Sequence, residues 1–191
     1  ETDKAYDFDG NNIINTPSSL LDNYFKIGSN FSVSFWFKTE PDSLTDSGEI
    51  LLGGSPGLGP DIEVTMHLHG ETGKLFATLY NGEAGISDNI LNDGDWHKVD
   101  FGTNGQKVYF YVDSQLQAQQ PKLGSTFTYN YITLGNRGIL RNGFKGSIDD
   151  VRIYNRALSE AEVGALYELE KPTLTTGLVA YYPFNGNAND E

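Results

Sequence analysis

The chain contains no cysteine, so neither disulfides nor thiolate metal sites enter the argument, and the compartment stays open on that ground. Basic residues are scarce: 13 Lys and Arg stand against 26 Asp and Glu in 191 residues, a net charge of −13. Such a surface repels phosphate backbones and anionic headgroups, which argues against nucleic-acid and membrane-surface partners. No apolar run approaches the roughly 18–20 residues of a bilayer-spanning helix, so membrane insertion is not expected. The opening Glu1, Thr2 and Asp3 have neither the basic nor the apolar character of a secretory leader, and the chain is expected to be a piece of something longer. Also missing are a Gly-x-Ser-x-Gly elbow and a glycine-rich phosphate loop leading into a helix.

What is present is a β composition: 22 Gly and 7 Pro punctuate a chain rich in aromatic and β-branched residues. Ile62, Val64, Met66 and Leu68 alternate with Glu63, Thr65, His67 and His69, the period-2 pattern of a half-buried strand. Phe31, Val33, Phe35 and Phe37 repeat it, as do Leu75, Ala77 and Leu79, then Val108, Phe110 and Val112. Asn104-Gly105 marks a hairpin, and Asn92, Asp93, Gly94 and Asp95 form a turn leading into Trp96. Residues 52–60, with four glycines and two prolines, read as an irregular loop. At least seven strands with turn signals between them predict a two-sheet antiparallel sandwich.

Residues 144–163 combine a strand with a helix start. Strand alternation puts Asp149 on the face of Val151 and Ile153 and Asp150 on that of Arg152 and Tyr154. An ionised carboxylate on a core face needs a cation, several donors, or a bulge that turns it outward. Ser159 then fits an N-cap with Glu162 as its capping-box partner, and Leu158 can staple onto Val163, so a helix of about two turns is predicted through Tyr167.

The run GSIDDVRIYNRALSEAE at 146–162 resembles the closing strand and terminal helix of bacterial laminin-G-like jelly-roll domains of the concanavalin A-like superfamily. Further matches follow in that family's order: AYDFDG at 5–10, FSVSFWFK at 31–38, GDWHKV at 94–99, VYFYVD at 108–113 and ITLG at 132–135. The resemblance spans residues 5–168 and implies an all-β jelly roll with one short helix near the C-terminus. It also implies an extracellular or cell-surface location.

Residues 169–176 read as a linker, since Pro172 cannot extend the helix. Residues 177–191 resemble the family's opening strand. They are expected either to begin a following repeat of a tandem array or to complete the sandwich, within the chain or by strand-swapped self-association.

Calcium favours several oxygen ligands, and Asp9, Asp149, Asp150, Asn185 and Asp190 offer them. The resemblance implies a structural calcium held by Asp9, the Gly10 carbonyl, Asp149 or Asp150, and Asp190. The plainer alternative makes Asp9 part of an Asp-Gly turn and the Asp149 and Asp150 pair a bulge beside Arg152. His67 and His69, at i and i+2, have a spacing that binds zinc if Glu63 joins them, but two histidines on the polar side of a strand ordinarily just face solvent. His97 in the Trp96-His97 pair fits a packing or hydrogen-bonding role.

Glycoside hydrolysis requires two carboxylates flanking a bond, and the Glu-x-Asp-x-x-Glu strand of the related β-glucanases does not occur. The expectation is therefore a non-catalytic module that binds glycan or extracellular protein. Trp36, Tyr109 and Tyr111 are candidate aromatic platforms on the polar faces of their strands. Tyr80, Asn136 and Arg137 are candidate loop contacts. Each aromatic can equally pack beneath a neighbouring element. A structural spacer in a tandem array and a glycosidase of the same fold are the competing readings.

Overall fold

A computed structural model describes residues 5–15, 30–41, 49–54, 64–79, 82–121, 132–136 and 143–171. Two six-stranded antiparallel sheets lie among them. The strands are β1 (Tyr6–Asp9), β2 (Ile14–Asn15), β3 (Phe31–Lys38), β4 (Glu49–Gly54), β5 (Val64–Leu68), β6 (Leu75–Leu79) and β7 (Gly82–Ile86). They continue with β8 (Trp96–Thr103), β9 (Lys107–Val112), β10 (Gln115–Pro121), β11 (Ile132–Leu134) and β12 (Lys145–Tyr154), followed by one helix, α1 (Glu160–Glu170). The first sheet runs β1-β12-β3-β8-β9-β10 and the second β2-β11-β4-β5-β6-β7.

Alternation decides what each strand buries. In the first sheet β3 sends Phe31, Val33, Phe35 and Phe37 inward, β8 adds Val99 and Phe101, β9 adds Val108, Phe110 and Val112, and β12 adds Ile148. Met66, Leu68, Leu75, Ala77 and Leu134 meet them from the second sheet, with Phe8 and Phe144 between the layers. The expected Asn104-Gly105 hairpin joins β8 to β9, Gly105 taking φ +82° and Asn104 Oδ1 accepting from the amides of Gln106 and Lys107. Residues 52–54, predicted as loop, instead form the end of β4, paired with β5 and β11, with Gly53 and Gly54 as its last two residues. Residues 55–60 lie outside the described residues.

The closing helix begins as its sequence requires. Ser159 Oγ accepts from the amide of Glu162, and the Ser159 amide donates to Glu162 Oε2 at 2.9 Å. Arg156 reinforces the cap with two bonds to the same carboxylate, at 2.9 and 2.7 Å. The helix runs past its predicted end at Tyr167 to Glu170, because Glu170 is drawn into an ionic cluster on the sheet below. Residues 169 and 170, expected in the linker, therefore form its last turn.

β12 kinks where the sequence set its carboxylate pair. Its pairing with β3 shifts register between Asp149 and Arg152, and Asp150 adopts φ +50°. Asp149 Oδ1 accepts from the Asp150 amide at 2.8 Å, and Arg152 donates to the Asp150 carbonyl and to Oδ1 at 3.0 and 3.1 Å. The bulge supplies donors to both carboxylates and takes them off the core face.

Candidate functional site

The outer face of the first sheet carries Ser32, Ser34 and Trp36 from β3, Lys98 and Asp100 from β8, Tyr109 and Tyr111 from β9, and Arg152 and Tyr154 from β12. Helix α1 roofs this face. Leu158, Val163 and Leu166 pack on Tyr109, Tyr111 and Tyr154, and Tyr167 stacks on Trp36 with ring centroids 5.6 Å apart. Trp36 is 4% exposed and spends its indole N–H on Glu170 Oε2 at 3.1 Å. Tyr111 is 6% exposed. Neither ring has a free face for a sugar, which corrects the expectation of open platforms. Tyr109, half-buried, lines an open cleft of about 210 Å³, solvent included, together with Ser32, Asp100 and Tyr111, and its hydroxyl accepts from Asn104 Nδ2.

Beneath the helix lies a buried charge cluster. Lys98, fully buried, donates to Glu170 Oε2 at 2.8 Å and to Ser34 Oγ at 2.6 Å. Arg152 holds the other Glu170 oxygen at 2.8 Å. Asp100, 2% exposed, is left with Lys98 Nζ at 3.9 Å. Burial pushes the Asp100 carboxyl up to about 6, with the Lys98 charge pulling the other way. The cluster fastens the end of the helix to the sheet.

His97 sits between two carboxylates, Nδ1 on Asp113 Oδ2 at 2.8 Å and Nε2 on Asp93 Oδ1 at 3.1 Å. Burial lowers its pKa, but the bonds and charges of Asp113 and Asp93 outweigh burial and hold the imidazole above its ordinary value. Asp113 and Ser114 form the β9–β10 turn with φ +49° and +63°, and Asp113 also accepts from the Lys98 amide at 2.9 Å. This arrangement clamps a hairpin and offers no nucleophile.

The outer face of the second sheet has no helix over it among the described residues. Met66, Leu68, Leu75 and Ala77 point inward, which turns Thr65, His67 and His69 of β5 and its extension outward with Phe76 and Thr78 of β6. His67 is directly opposite Phe76, and the rings stack at 5.3 Å and 19°. His69 flanks the same ring at 5.4 Å and 34°, and Ile86 of β7 is the cross-strand partner on its far side. Phe76, His67 and His69 are half-buried. The two imidazoles thus border an aromatic ring. Glu63 lies outside the described residues.

The expected calcium ligands separate into two places. β1 pairs Asp9 with Lys145, so Asp149 lies four residues further along β12, roughly 13 Å away at strand rise. Ligands of one calcium sit within 2.3–2.6 Å of it, so the Asp149 and Asp150 bulge is too far along the strand to join Asp9. Asn136, expected in a ligand loop, lies instead near Gly10. A Cβ placed on Gly143 would stand 2.0 Å from the Gly10 carbonyl oxygen and 3.1 Å from Asn136 Nδ2. Asn136 is fully buried, and neither amide atom has a hydrogen-bond partner among the described residues. Asp9 Oδ1 accepts from the Asn11 amide at 2.8 Å in the Asp-Gly turn, where Gly10 takes φ +91°. Among the described residues, no three His, Asp or Glu side chains converge as a metal site. Tyr80, Arg137 and Asp190 lie outside the described residues.

Among solved structures, domain 4 of AbnA, a GH43 extracellular arabinanase from Geobacillus stearothermophilus determined with arabinotriose, matches with a TM-score of 0.65 and 22% identity. The alignment covers 85% of this chain and 76% of that one. The receptor-binding domain of botulinum neurotoxin mosaic serotype C/D matches at TM-score 0.62 and 17% identity, over 83% of this chain and 39% of that one. Trypanosoma rangeli sialidase matches at 0.61 and 16%, over 73% of this chain and 22% of that one. The chain thus spans less than half of the toxin domain and of the sialidase, and these likenesses establish a shared fold. A search of curated proteins finds no match. The laminin-G-type family model described as the concanavalin A-like lectin/glucanases superfamily matches residues 8–164. The two antiparallel sheets, the capped closing helix and that match together make this chain a member of the concanavalin A-like lectin/glucanases superfamily.

Proposed function

We propose that the chain is a non-catalytic glycan-recognition module of an extracellular protein, and that it binds through the outer face of the second sheet. The observation that carries this reading is the half-buried Phe76 ring bordered by His67 and His69 on a sheet face that no helix covers among the described residues, while α1 closes the outer face of the first sheet. A sugar ring lays its apolar C–H face on an aromatic side chain and satisfies its hydroxyls with flanking polar groups. The His69 imidazole beside the ring can serve as one of those groups, and the Thr78 hydroxyl, which donates to the Thr65 carbonyl at 3.4 Å, can accept from a sugar hydroxyl. The arabinotriose-bound relative makes arabino-oligosaccharides the first probes to try.

A structural calcium belongs to this proposal at the Asp9-Gly10 turn. The Gly10 carbonyl, the second Asp9 oxygen and the unpartnered Asn136 amide, turned so that its oxygen takes the place of Nδ2, are the hard donors that the ion prefers. Bound there, it would fasten the β1 turn to the chain after β11.

The test is a glycan array followed by arabinotriose titration, each with and without calcium. Phe76→Ala should lower affinity at least about tenfold, or ~1.4 kcal/mol, with an unchanged circular dichroism spectrum. Absence of any glycan hit, or equal binding by the folded variant, defeats the assignment. For the ion, calcium should raise the melting temperature and chelator should lower it; a melt indifferent to both removes it.

A further inference from the structure

Asp100 stands in the middle of the first sheet with its acceptors unspent. Neither carboxylate oxygen has a hydrogen-bond partner among the described residues, although the side chain is almost wholly buried. Its cross-strand neighbours on the outer face are Ser34 of β3 and Tyr111 of β9. Ser34 Oγ accepts from the Lys98 ammonium at 2.6 Å, and Lys98 Nζ stays 3.9 Å from Asp100. The two cations of the cluster, Lys98 and Arg152, converge instead on Glu170, each at 2.8 Å. The Lys98 charge and the Ser34 hydroxyl favour the ionised form without offsetting burial. A carboxylate with about four acceptor sites is thus left short of donors.

The fold makes room beside it. Two residues along β8 on the same face comes Gly102, paired with Ser32 and Tyr109, and its lack of a side chain notches the sheet surface. Leu158 and Val163 roof this cleft, and Ser32, Tyr109, Tyr111 and Asp100 line it. It opens to solvent and has room for about one water-sized group. The polar groups of its lining are one carboxylate and three hydroxyls, and none of the lining residues carries a positive charge. Burial raises the Tyr111 hydroxyl above its ordinary value, and the charges of Glu160 and Asp100 raise it further, so the field at the cleft is negative.

We propose that this cleft binds an ammonium group on the Asp100 carboxylate, either the free ion or the end of a primary amine. An ammonium nitrogen is close to a water molecule in size and brings both of the things that Asp100 lacks, N–H donors and a positive charge. Water would bring donors alone, and a hydrogen bond between two charged groups is the stronger one. The tyrosines add hydroxyl oxygens and aromatic rings, which also favour a cation. The proposal is independent of the glycan reading and, with chelator present throughout, of the calcium site.

Thermal melts at pH 7.5 and constant ionic strength test it, with tetramethylammonium chloride exchanged stepwise for ammonium chloride. A site half-filled at about 10 mM gives, at about 100 mM ammonium, a roughly tenfold gain in the folding equilibrium. That gain is a rise of about 3–6 °C for a domain of this size. The rise should vanish in Asp100→Asn, which keeps the shape and removes the charge. Methylammonium separates the two sources: a matching rise admits the end of an amine, and no rise restricts the site to the free ion. No rise with ammonium, an equal rise with potassium, or an equal rise in the folded Asp100→Asn variant overturns the proposal.

Discussion

Asp100→Asn should stabilise this protein at neutral pH, by an amount that vanishes in acid. Asp100 is 2% exposed, its nearest cation is 3.9 Å away, and its carboxyl is pushed up to about 6 from an ordinary 3.8. Between those two values the folded chain holds the proton more tightly than the unfolded chain, so stability falls as pH rises through that window. The gap, at about 1.4 kcal/mol per tenfold, comes to about 3 kcal/mol once Asp100 is fully ionised in the fold. Asn imitates the protonated acid in shape and never ionises. The variant should therefore exceed the parent at pH 7.5 by up to about 3 kcal/mol, or roughly 6–12 °C in melting temperature for a domain of this size. Near pH 3.5 the two should coincide. Urea unfolding of both proteins across this range isolates the effect, because every other titration is common to the pair. A variant less stable than its parent at pH 7.5, or a difference that does not change with pH, would refute the claim that burial outweighs the attraction of Lys98.

Lys98→Met should act in the opposite direction, leaving Glu170 and Asp100 buried with less compensation and costing about 3–5 kcal/mol in urea unfolding at pH 7.5. His97→Gln should remove a contribution that is present in full below the ordinary histidine value near 6.5 and is lost as pH rises through the elevated folded value. The parent's advantage in thermal melts should accordingly shrink between pH 6 and pH 9. Ser159→Ala removes the cap of α1 and should cost about 1 kcal/mol, roughly 2–4 °C in melting temperature.

The sandwich was legible because alternation is a local property, and β3, β5, β6 and β9 display it without knowledge of their partners. The helix start was legible for the same reason, since Ser159 and Glu162 complete a capping box within one turn. Its end was not, because Glu170 is helical through contacts with Lys98 and Arg152 that are distant in sequence. The polar face of β3 suggested solvent around Trp36, yet Ser32 accepts from the Leu158 amide and Ser34 accepts from Lys98. Hydroxyls on that face serve the covering helix. A usable signal was present in β8, where Lys98 and Asp100 alternate with Val99 and Phe101. Two opposite charges on the outer face of a central strand call for a polar roof. The His67 and Phe76 pair needed the β5–β6 register, and the Asp113-Ser114 turn lacked the glycine usual in a tight hairpin.

The buried charges under α1 are better understood as a device for position than as a source of stability. An ion pair taken out of water gains little over an apolar contact of the same size, but removing one partner leaves a strongly penalised charge. Sliding α1 along the sheet would separate Glu170 from Lys98, Arg152 and Trp36 together, while the apolar contacts of Val163 and Leu166 could be replaced by others of similar worth. The cluster therefore selects one placement of the helix. That placement closes the first sheet's outer face over Trp36 and Tyr111 and brings the chain out above β12. One set of electrostatic contacts thus bears on the proposed function as well: it commits α1 to the first sheet, so that among the described residues no helix lies over the second sheet's aromatic face.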